Sequence, residues 1–166
     1  MSKIASLAAR VGMLLKERGQ TIAVSESSAG GLINAALVAV PGASSYYLGG
    51  AVIYTKAGRE ALMGIGAHEM KGLRSASEPY ATLLALRVRE KLGATWGLAE
   101  TGASGPKGNS YGDAPGHACL AVSGPASGRY DAVITVETGS ADREVNMQEF
   151  TRRALVLLES CLRKQS

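Results

Sequence analysis

The feature that most constrains the fold is a short apolar stretch that leads into a polar, glycine-rich turn and then into a longer apolar stretch. Residues 21–25 (T-I-A-V-S) have the length and the branched side chains of a short buried strand. The turn S-E-S-S-A-G-G occupies residues 25–31. Residues 32–40 are apolar on nearly every side, which predicts a buried helix. A buried strand that leads directly into a buried helix is typical of α/β proteins.

The rest of the chain continues this alternation of strands and helices. Apolar runs predict further strands at residues 46–54, 95–100, 117–123 and 130–137, and helical spacing predicts helices at residues 4–15, 57–63, 77–92 and 142–161. The last two strands are joined by a short turn, which predicts an antiparallel hairpin at one edge of the sheet. Gly49 and Gly50 predict a bulge or a close backbone approach. We therefore predict one α/β domain over residues 1–166, with a mixed sheet that helices cover on both faces.

The composition favours a small anionic ligand at least as much as a nucleic acid. The net charge is +4, but the basic residues are scattered and the few aromatic residues are not interleaved with them, so we expect no nucleic-acid partner. Cys119 and Cys161 lie in apolar stretches and are interpreted as buried free thiols. No spacing of metal ligands occurs, and we expect neither a metal nor a cofactor. Without a signal-peptide pattern or an apolar run of ~18 residues, a cytoplasmic protein that binds no membrane is expected.

Ser27 is the candidate reactive residue of the turn, because it lies immediately before the predicted helix. The following amides, those of Ser28, Ala29 and Gly30, are expected to point freely at the helix start, where they favour an anion. They could bind a phosphate, or the oxyanion formed when Ser27 attacks a carbonyl carbon. The alternative is that Ser27 or Ser28 only caps the helix. The G-x-S-x-G pattern of hydrolase nucleophile elbows is absent.

Two other segments are expected to meet this turn at the carboxyl end of the strands, where open α/β sheets bind ligands. Residues 54–59 carry a tyrosine and the basic residues Lys56 and Arg59, and residues 101–116 form a glycine-rich segment. His68 and His117 lie in no recognisable motif, so neither is favoured as a catalytic base.

The order of short motifs along the chain resembles the CinA carboxy-terminal domain family of nicotinamide mononucleotide deamidases. The turn S-E-S-S-A-G-G is similar to the A-E-S-C-T-G-G motif of that family. The match continues through V-P-G-A-S at residues 40–44, G-G-A-V-I-Y at 49–54, L-M-G-I at 62–65, S-A-S-E at 75–78, T-G-A-S-G-P at 101–106 and A-D-R at 141–143. Each motif alone is weak, but together they cover almost the whole chain in order.

The resemblance implies a three-layer α/β/α domain that converts nicotinamide mononucleotide to nicotinate mononucleotide and ammonia. It implies a serine nucleophile, a tyrosine and a lysine, without a metal, and a tendency to form homo-oligomers. The nucleophile falls on Ser27 and the tyrosine on Tyr54. The matching substrate-binding candidates are Ser28, Ala29, Gly30, Gly31, Ser44, Thr101, Gly102, Ser104, Gly105 and Arg143. For residues 101–116 the alternative is a surface loop that only caps the sheet, and for Arg143 it is an exposed first-turn residue.

The family lysine is replaced by Arg59, five positions after Tyr54. A guanidinium stays protonated, so Arg59 cannot be the general base. It could orient Tyr54, or bind a phosphate or a carboxylate through two hydrogen bonds. Lys56 would share one strand face with Tyr54 if the strand extended that far; otherwise it is a solvated turn lysine. Ser28 and Ala29 replace the usual cysteine and threonine, which keeps small residues beside the helix start.

Three functions are therefore compatible with the sequence. The first is an amidohydrolase acting on a pyridine nucleotide. The second is a non-catalytic member that binds a nucleotide or a protein partner, as the replacement by Arg59 would permit. The third is the same serine chemistry on a different amide, which the differences at residues 107–113 would permit.

Overall fold

The computed structural model describes residues 1–165, and Ser166, the last residue of the predicted domain, lies outside the described residues. The elements follow the predicted alternation of strands and helices. Their bounds are α1 Lys3–Glu17, β1 Ile22–Glu26, α2 Leu32–Val38, β2 Tyr47–Val52, α3 Lys56–Met63, α4 Glu78–Leu92, β3 Trp96–Ala103, β4 His117–Ser123, β5 Ala132–Glu137 and α5 Arg143–Lys164, with a 3-10 turn at Ala43–Ser45.

The five strands form one mixed sheet in the order β2-β1-β3-β4-β5. β1 lies between β2 and β3 and is parallel to both, whereas β3, β4 and β5 pair antiparallel. Because β1 is parallel to its neighbours on both sides, its carboxyl end opens at the same sheet edge as theirs. The predicted mixed sheet with an antiparallel edge hairpin is confirmed.

Helices cover both faces of this sheet and enclose two separate cores. On one face α1, α2 and α5 pack together, with Ile33 and Phe150 in the core between them and the sheet. On the other face α4 and α3 cover the sheet, with Leu84 and Met63 in the second core. Every residue of β1 is buried, because helices press on both of its faces. The three-layer α/β/α architecture implied by the family resemblance is therefore confirmed.

The two glycines of β2 allow that strand to pack closely on its neighbours. Ile22 pairs with Tyr47 but Ala23 pairs with Gly49, so Leu48 is the extra residue of a bulge. A Cβ on Gly50 would overlap the carbonyl of Val24. Both alternatives predicted for the pair Gly49 and Gly50 are therefore present, the bulge just before Gly49 and the close approach at Gly50.

Several predicted boundaries were wrong, and the first two errors described here move residues of the candidate site. The strand predicted over residues 46–54 ends at Val52, because Thr55 caps α3 and turns the chain out of the sheet. The strand predicted over residues 95–100 continues to Ala103, because β4 pairs with it along its whole length. The helix predicted over residues 32–40 ends at Val38, ahead of Pro41. Among the helices of residues 1–165, none is both long and apolar enough to cross a membrane.

Candidate active site

The turn after β1, the start of α3 and the end of β3 surround a cavity at the carboxyl end of the parallel strands. Its volume is about 480 Å³. Its lining consists of Ser27, Ile53, Tyr54, Thr55, Lys56, Arg59, Ser75, Ala76, Tyr80, Thr101, Gly102, Asn109 and Tyr111. The three segments predicted to converge do so here. Two of the lining side chains are cationic and none is a carboxylate, so the cavity favours an anionic ligand.

A larger concavity of about 790 Å³ lies between the start of α1, the end of β5 and α5. It contains none of the residues predicted for the site. We therefore place the candidate active site at the smaller cavity, where the polar groups converge.

Glu26, rather than a serine, caps the helix that follows the turn. Its buried carboxylate accepts the amides of Gly31 at 2.8 Å, Ile33 at 3.2 Å and Asn34 at 2.8 Å, and also the Asn34 side-chain amide at 2.6 Å. A carboxylate at this place satisfies the first amides of α2 and complements the positive end of the helix. The alternative in which Ser27 or Ser28 caps the helix is therefore wrong, since the preceding glutamate accepts from these donors.

A second buried carboxylate, Glu100 of β3, holds the turn itself. It accepts the amides of Ser27 at 2.9 Å and Ala29 at 2.8 Å, and the hydroxyl of Ser28 donates to its other oxygen. Burial raises the pKa of Glu100, and the charge of Glu26 adds to the rise, whereas the hydrogen bonds from Ser28, Ala29 and Ser27 lower it. Each hydrogen bond to the turn therefore favours the ionised form of Glu100.

The amides expected to be free are largely occupied. The amide of Ala29 is bound to Glu100, and the amide of Gly30 donates to the carbonyl of Ser27 at 2.9 Å. Within residues 1–165 the amide of Ser28 has no hydrogen-bond acceptor. An anion at this turn would therefore find one free amide rather than three.

Tyr54 lies just beyond the end of β2 and is 61% exposed. Arg143, the first residue of α5, donates to the Tyr54 hydroxyl at 2.8 Å and to the carbonyl of Gly105. Arg143 was expected either to reach a substrate phosphate or to stand exposed in the first turn. It is an exposed residue of the first turn, as the second alternative had it, and its guanidinium bridges the glycine-rich segment and the candidate tyrosine at the rim of the cavity.

Lys56 and Arg59 both line the cavity but reach it from α3. Because the chain leaves the sheet at Val52, the strand face proposed for Lys56 and Tyr54 does not exist, and Lys56 is instead the first residue of the helix. Arg59 is only 8% exposed, and its Nε donates to the carbonyl of Ile65 at 3.1 Å. No hydrogen bond joins Arg59 to Tyr54 within residues 1–165, so the expected orienting role falls to Arg143 instead.

The remaining binding candidates lie at three different places. Thr101 and Gly102 line the cavity, and the Thr101 hydroxyl accepts the amide of Ala76 at 3.1 Å. Ser104 is buried and donates to the carbonyl of Ser28 at 3.3 Å, so it supports the turn from behind. Ser44 lies in the 3-10 turn that precedes β2, near the amino end of β1. The structure therefore places Ser44 at the opposite end of the strands from the cavity of its own chain.

Gly30 and Gly31 shape the turn through their backbone conformation. Both have a positive φ, of 70° and 101°, which L side chains rarely adopt. A Cβ on Gly30 would also lie 2.7 Å from the Cε of Met147 in α5. These glycines let the chain reverse tightly between β1 and α2 beneath α5.

The loop between β3 and β4 contributes two lining residues that were not predicted, Asn109 and Tyr111. Asp113 anchors this loop, accepting from Arg74 at 2.8 Å and from the Asn109 side-chain amide at 2.7 Å. The guanidinium of Arg74 also stacks over the Tyr111 ring at 5.2 Å. The asparagine, glycine and aspartate of this segment predict a turn, and the segment was expected to reach the site, but no local pattern indicates which of its residues face the cavity.

His117 lies behind the cavity wall, whereas His68 is exposed on the surface. One ring nitrogen of His117 is bonded to Glu137 and the other lies 2.7 Å from the carbonyl of Ala76, a residue of the lining. Burial lowers the pKa of His117, but the bonds to Glu137 and Ala76 and the nearby charge of Asp113 outweigh it and leave the pKa raised. Among residues 1–165, no cluster of histidine, cysteine and acidic side chains has the arrangement needed to hold a metal ion.

Fold and site together define a three-layer α/β/α domain that presents a serine on a strand-to-helix turn, at the edge of a cationic cavity. Comparison with known proteins gives the family. The model of the CinA C-terminal domain matches residues 4–162, and the chain belongs to this family.

Relatives and solved structures agree with this assignment. A CinA-like protein of Prochlorococcus marinus (strain MIT 9313) is 41% identical over 120 residues, which are 72% of this chain and 28% of the relative. A CinA-like protein of Synechococcus sp. (strain CC9902) is 40% identical over 119 residues, which are 72% of this chain and 28% of that relative. The chain thus matches little more than a quarter of the length of these relatives.

Two solved structures illustrate the shared fold. A CinA superfamily protein from Klebsiella pneumoniae 700603 superposes with a TM-score of 0.89 at 22% identity, over 97% of this chain and 98% of that one. A competence/damage inducible protein from Agrobacterium tumefaciens has a TM-score of 0.85 at 26% identity, over 97% of this chain and 96% of that one.

Proposed function

We propose that this chain is an amidohydrolase that converts nicotinamide mononucleotide to nicotinate mononucleotide and ammonia, with Ser27 as the nucleophile. The observation that carries the proposal is that Ser27, Tyr54 and Lys56 line one cationic cavity. Membership of the CinA family supports it. The match of the turn to the nucleophile motif of the deamidases points to the same serine.

The proposed reaction proceeds through a covalent intermediate. The Ser27 oxygen attacks the carboxamide carbon, and its proton passes to Lys56 in its neutral amine form, with Tyr54 beside it as a relay. Among residues 1–165 the amide of Ser28 has no acceptor, and it belongs to the residue after the nucleophile, so it is the candidate donor to the oxyanion. The C–N bond then breaks, and the nitrogen takes the proton and leaves as ammonia. Water attacks the acyl ester, which releases the carboxylate and restores Ser27.

The shape and charge of the cavity support a nucleotide ligand. Arg59 supplies positive charge for a phosphate, and Arg143 stands at the rim. Tyr54, Tyr80 and Tyr111 supply aromatic surface for a planar ring. We propose a small pyridine nucleotide as the partner, held by cations at its phosphate and by tyrosines at its ring.

Release of ammonia from nicotinamide mononucleotide by the purified protein tests this proposal directly. We expect Ser27→Ala to abolish release, and we expect the matched variant Ser75→Ala, which also removes a hydroxyl from the lining, to retain most of it. Loss of the Tyr54 hydroxyl in Tyr54→Phe should lower kcat about 10- to 100-fold. If wild type and Ser27→Ala are equally inert, the proposal fails for this substrate.

Arg59 supports a second candidate function, in which the chain binds a nucleotide without turning it over. Its guanidinium occupies the lining at the position of the family lysine, and it cannot accept a proton. Calorimetry with the mononucleotide separates the two functions, since tight binding without ammonia release supports the second. Gain of activity in Arg59→Lys would show that only the base is missing, whereas turnover by the wild type would exclude the binding-only function.

The third candidate, serine chemistry on a different amide, rests on Asn109 and Tyr111, the lining residues contributed by the divergent loop. A panel of small carboxamides, assayed for ammonia with Ser27→Ala as the blank, distinguishes it from the first. Turnover of another amide, but not of the mononucleotide, would favour it.

A further inference from the structure

Arg59 is a buried cation without a carboxylate partner. The residue is 8% exposed, yet among residues 1–165 it forms no ion pair, and its side chain makes one hydrogen bond, from Nε to the carbonyl of Ile65. Arginine is rarely buried to this extent unless an acidic group pairs with it. The two terminal nitrogens, Nη1 and Nη2, therefore lack an acceptor from the described part of the chain.

These two nitrogens are open to the cavity rather than sealed in the core. Within residues 1–165, the fully buried side-chain atoms that lack a partner are Ser25 Oγ and Arg89 Nε, and the Nη atoms of Arg59 are not among them. Arg59 lines the cavity, and the lining residues include no carboxylate. A ligand in the cavity can therefore reach both Nη groups and neutralise their charge.

Tyr80 brings a second unpaired donor to the same cavity. It lies in the first turn of α4, is 4% exposed, and lines the cavity together with Arg59. Its hydroxyl has no hydrogen-bond partner in residues 1–165 and is not fully buried either, although a buried tyrosine hydroxyl usually has a partner. Burial raises the pKa of Tyr80, which keeps the hydroxyl protonated, and the charge of Arg59 acts on it in the opposite direction. The two residues thus interact across one cavity.

We propose that Arg59 and Tyr80 form a subsite for an oxyanion of the ligand, either a phosphate or a carboxylate. The two Nη groups of a guanidinium match two oxygens of such an anion, and the Tyr80 hydroxyl supplies a third donor. A lysine at position 59 would offer only a point charge. The inference deepens the proposed function, on which the choice of a mononucleotide as the ligand rests.

A mononucleotide offers this subsite two different oxyanions. The phosphate is present in nicotinamide mononucleotide and in its product, whereas the carboxylate is present only in the product. If the phosphate binds at Arg59, its removal should weaken binding only while Arg59 is in place. If the carboxylate binds there, the product should bind more tightly than the substrate, again only while Arg59 is in place.

Calorimetry with three ligands distinguishes these cases, in a Ser27→Ala background that prevents turnover. The ligands are nicotinamide mononucleotide, its dephosphorylated nucleoside and nicotinate mononucleotide. We expect one of the two anionic groups to strengthen binding about 10- to 100-fold while Arg59 is present, and under about threefold in Arg59→Gln. Tyr80→Phe, which keeps the ring, should reduce the same contribution about 3- to 10-fold.

Arg129→Gln is the matched control, because it removes an exposed guanidinium from the turn between β4 and β5, at the opposite end of the sheet. We expect it to leave the ratios of the dissociation constants unchanged. If both ratios are also unchanged in Arg59→Gln and in Tyr80→Phe, the inference is overturned.

Inorganic phosphate and acetate test the subsite without a mononucleotide. We expect one of them to shift the Arg59 Nε–H resonance of the wild type saturably in NMR, and to need a higher concentration in Tyr80→Phe. If the wild type releases no ammonia, the proposed function fails, whereas the binding ratios still decide the subsite. If the mononucleotide does not bind at all, the absence of a saturable shift with either small anion refutes the inference.

Discussion

Substitution of Glu26 by glutamine should destabilise the protein strongly, although it changes the shape of the side chain very little. One carboxylate oxygen of Glu26 accepts the amides of Gly31 and Ile33, and the other accepts both nitrogens of Asn34. Each oxygen therefore faces two donors. Whichever way the glutamine amide points, its NH2 group meets two N–H groups and satisfies neither.

The size of the effect follows from these contacts. Two hydrogen bonds to a charged acceptor are lost, each contributing roughly 1.5–3 kcal/mol, and the favourable charge at the helix start is lost as well. Relaxation of the short helix α2 recovers part of this loss. We expect Glu26→Gln to lower the free energy of unfolding by about 3 kcal/mol, a large share of the roughly 5–15 kcal/mol of an ordinary domain.

Urea unfolding followed by circular dichroism measures this difference. Glu100→Gln is the informative comparison, because one oxygen of Glu100 faces a hydroxyl, which can reverse its role, rather than two N–H groups. We expect Glu100→Gln to lose less than half as much stability as Glu26→Gln. If Glu26→Gln unfolds within about 1 kcal/mol of the wild type, the reasoning about the cap of α2 is refuted.

Three further predictions concern other parts of the fold. Because the pKa of His117 is raised in the folded protein, its charged form contributes stability that is present below about pH 6.5 and lost as the pH rises through the folded value. His117→Gln should therefore flatten the decline of the unfolding free energy that is measured as the pH rises above about 6.5. Gly50→Ala should cost at least about 2 kcal/mol, because its Cβ would overlap the neighbouring strand, whereas Gly66→Ala, where nothing lies within 4 Å, should cost under about 1 kcal/mol; equal unfolding midpoints in urea would contradict this. Asp113→Asn removes the charge that pairs with Arg74 at 2.8 Å and should weaken mononucleotide binding about 3- to 10-fold in calorimetry, with an unchanged Kd counting against a role of this loop in binding.

The local elements were predictable because their signals lie within short windows of sequence. The apolar run at residues 21–25 and the all-round apolar stretch after the turn predicted β1 and α2. The ends were less predictable: Tyr54 continues the apolar run of β2, but the hydroxyl of Thr55 accepts the amide of Gly58 and starts a helix instead. The strand propensity of these residues extends through Tyr54, but the helix cap at Thr55 ends β2 at Val52.

The partners of the site residues were not predictable, because they come from distant positions. Glu100 contacts the turn across more than 70 residues, and Arg143 reaches Tyr54 across 89. In the sequence Glu100 marks only the end of an apolar run, although an acidic residue there was a usable signal of a buried hydrogen-bond acceptor. The family motifs included Ser44 among the site candidates. A motif match follows the order of residues along the chain, however, and does not show at which end of the sheet a segment lies.

The capping of α2 by Glu26 has a consequence for how sites of this kind can diversify. The positive end of the helix is already neutralised from within the turn, so a ligand's charge must be balanced by cations from elsewhere, chiefly Arg59 of α3 and Arg143 of α5. The candidate nucleophile and these cations thus lie on separate, independently mutable elements. Substitutions in α3 can change the charge of the cavity while Glu26 and Glu100 still hold the turn, so the replacement by arginine at position 59 leaves the hydrogen bonds around Ser27 unchanged.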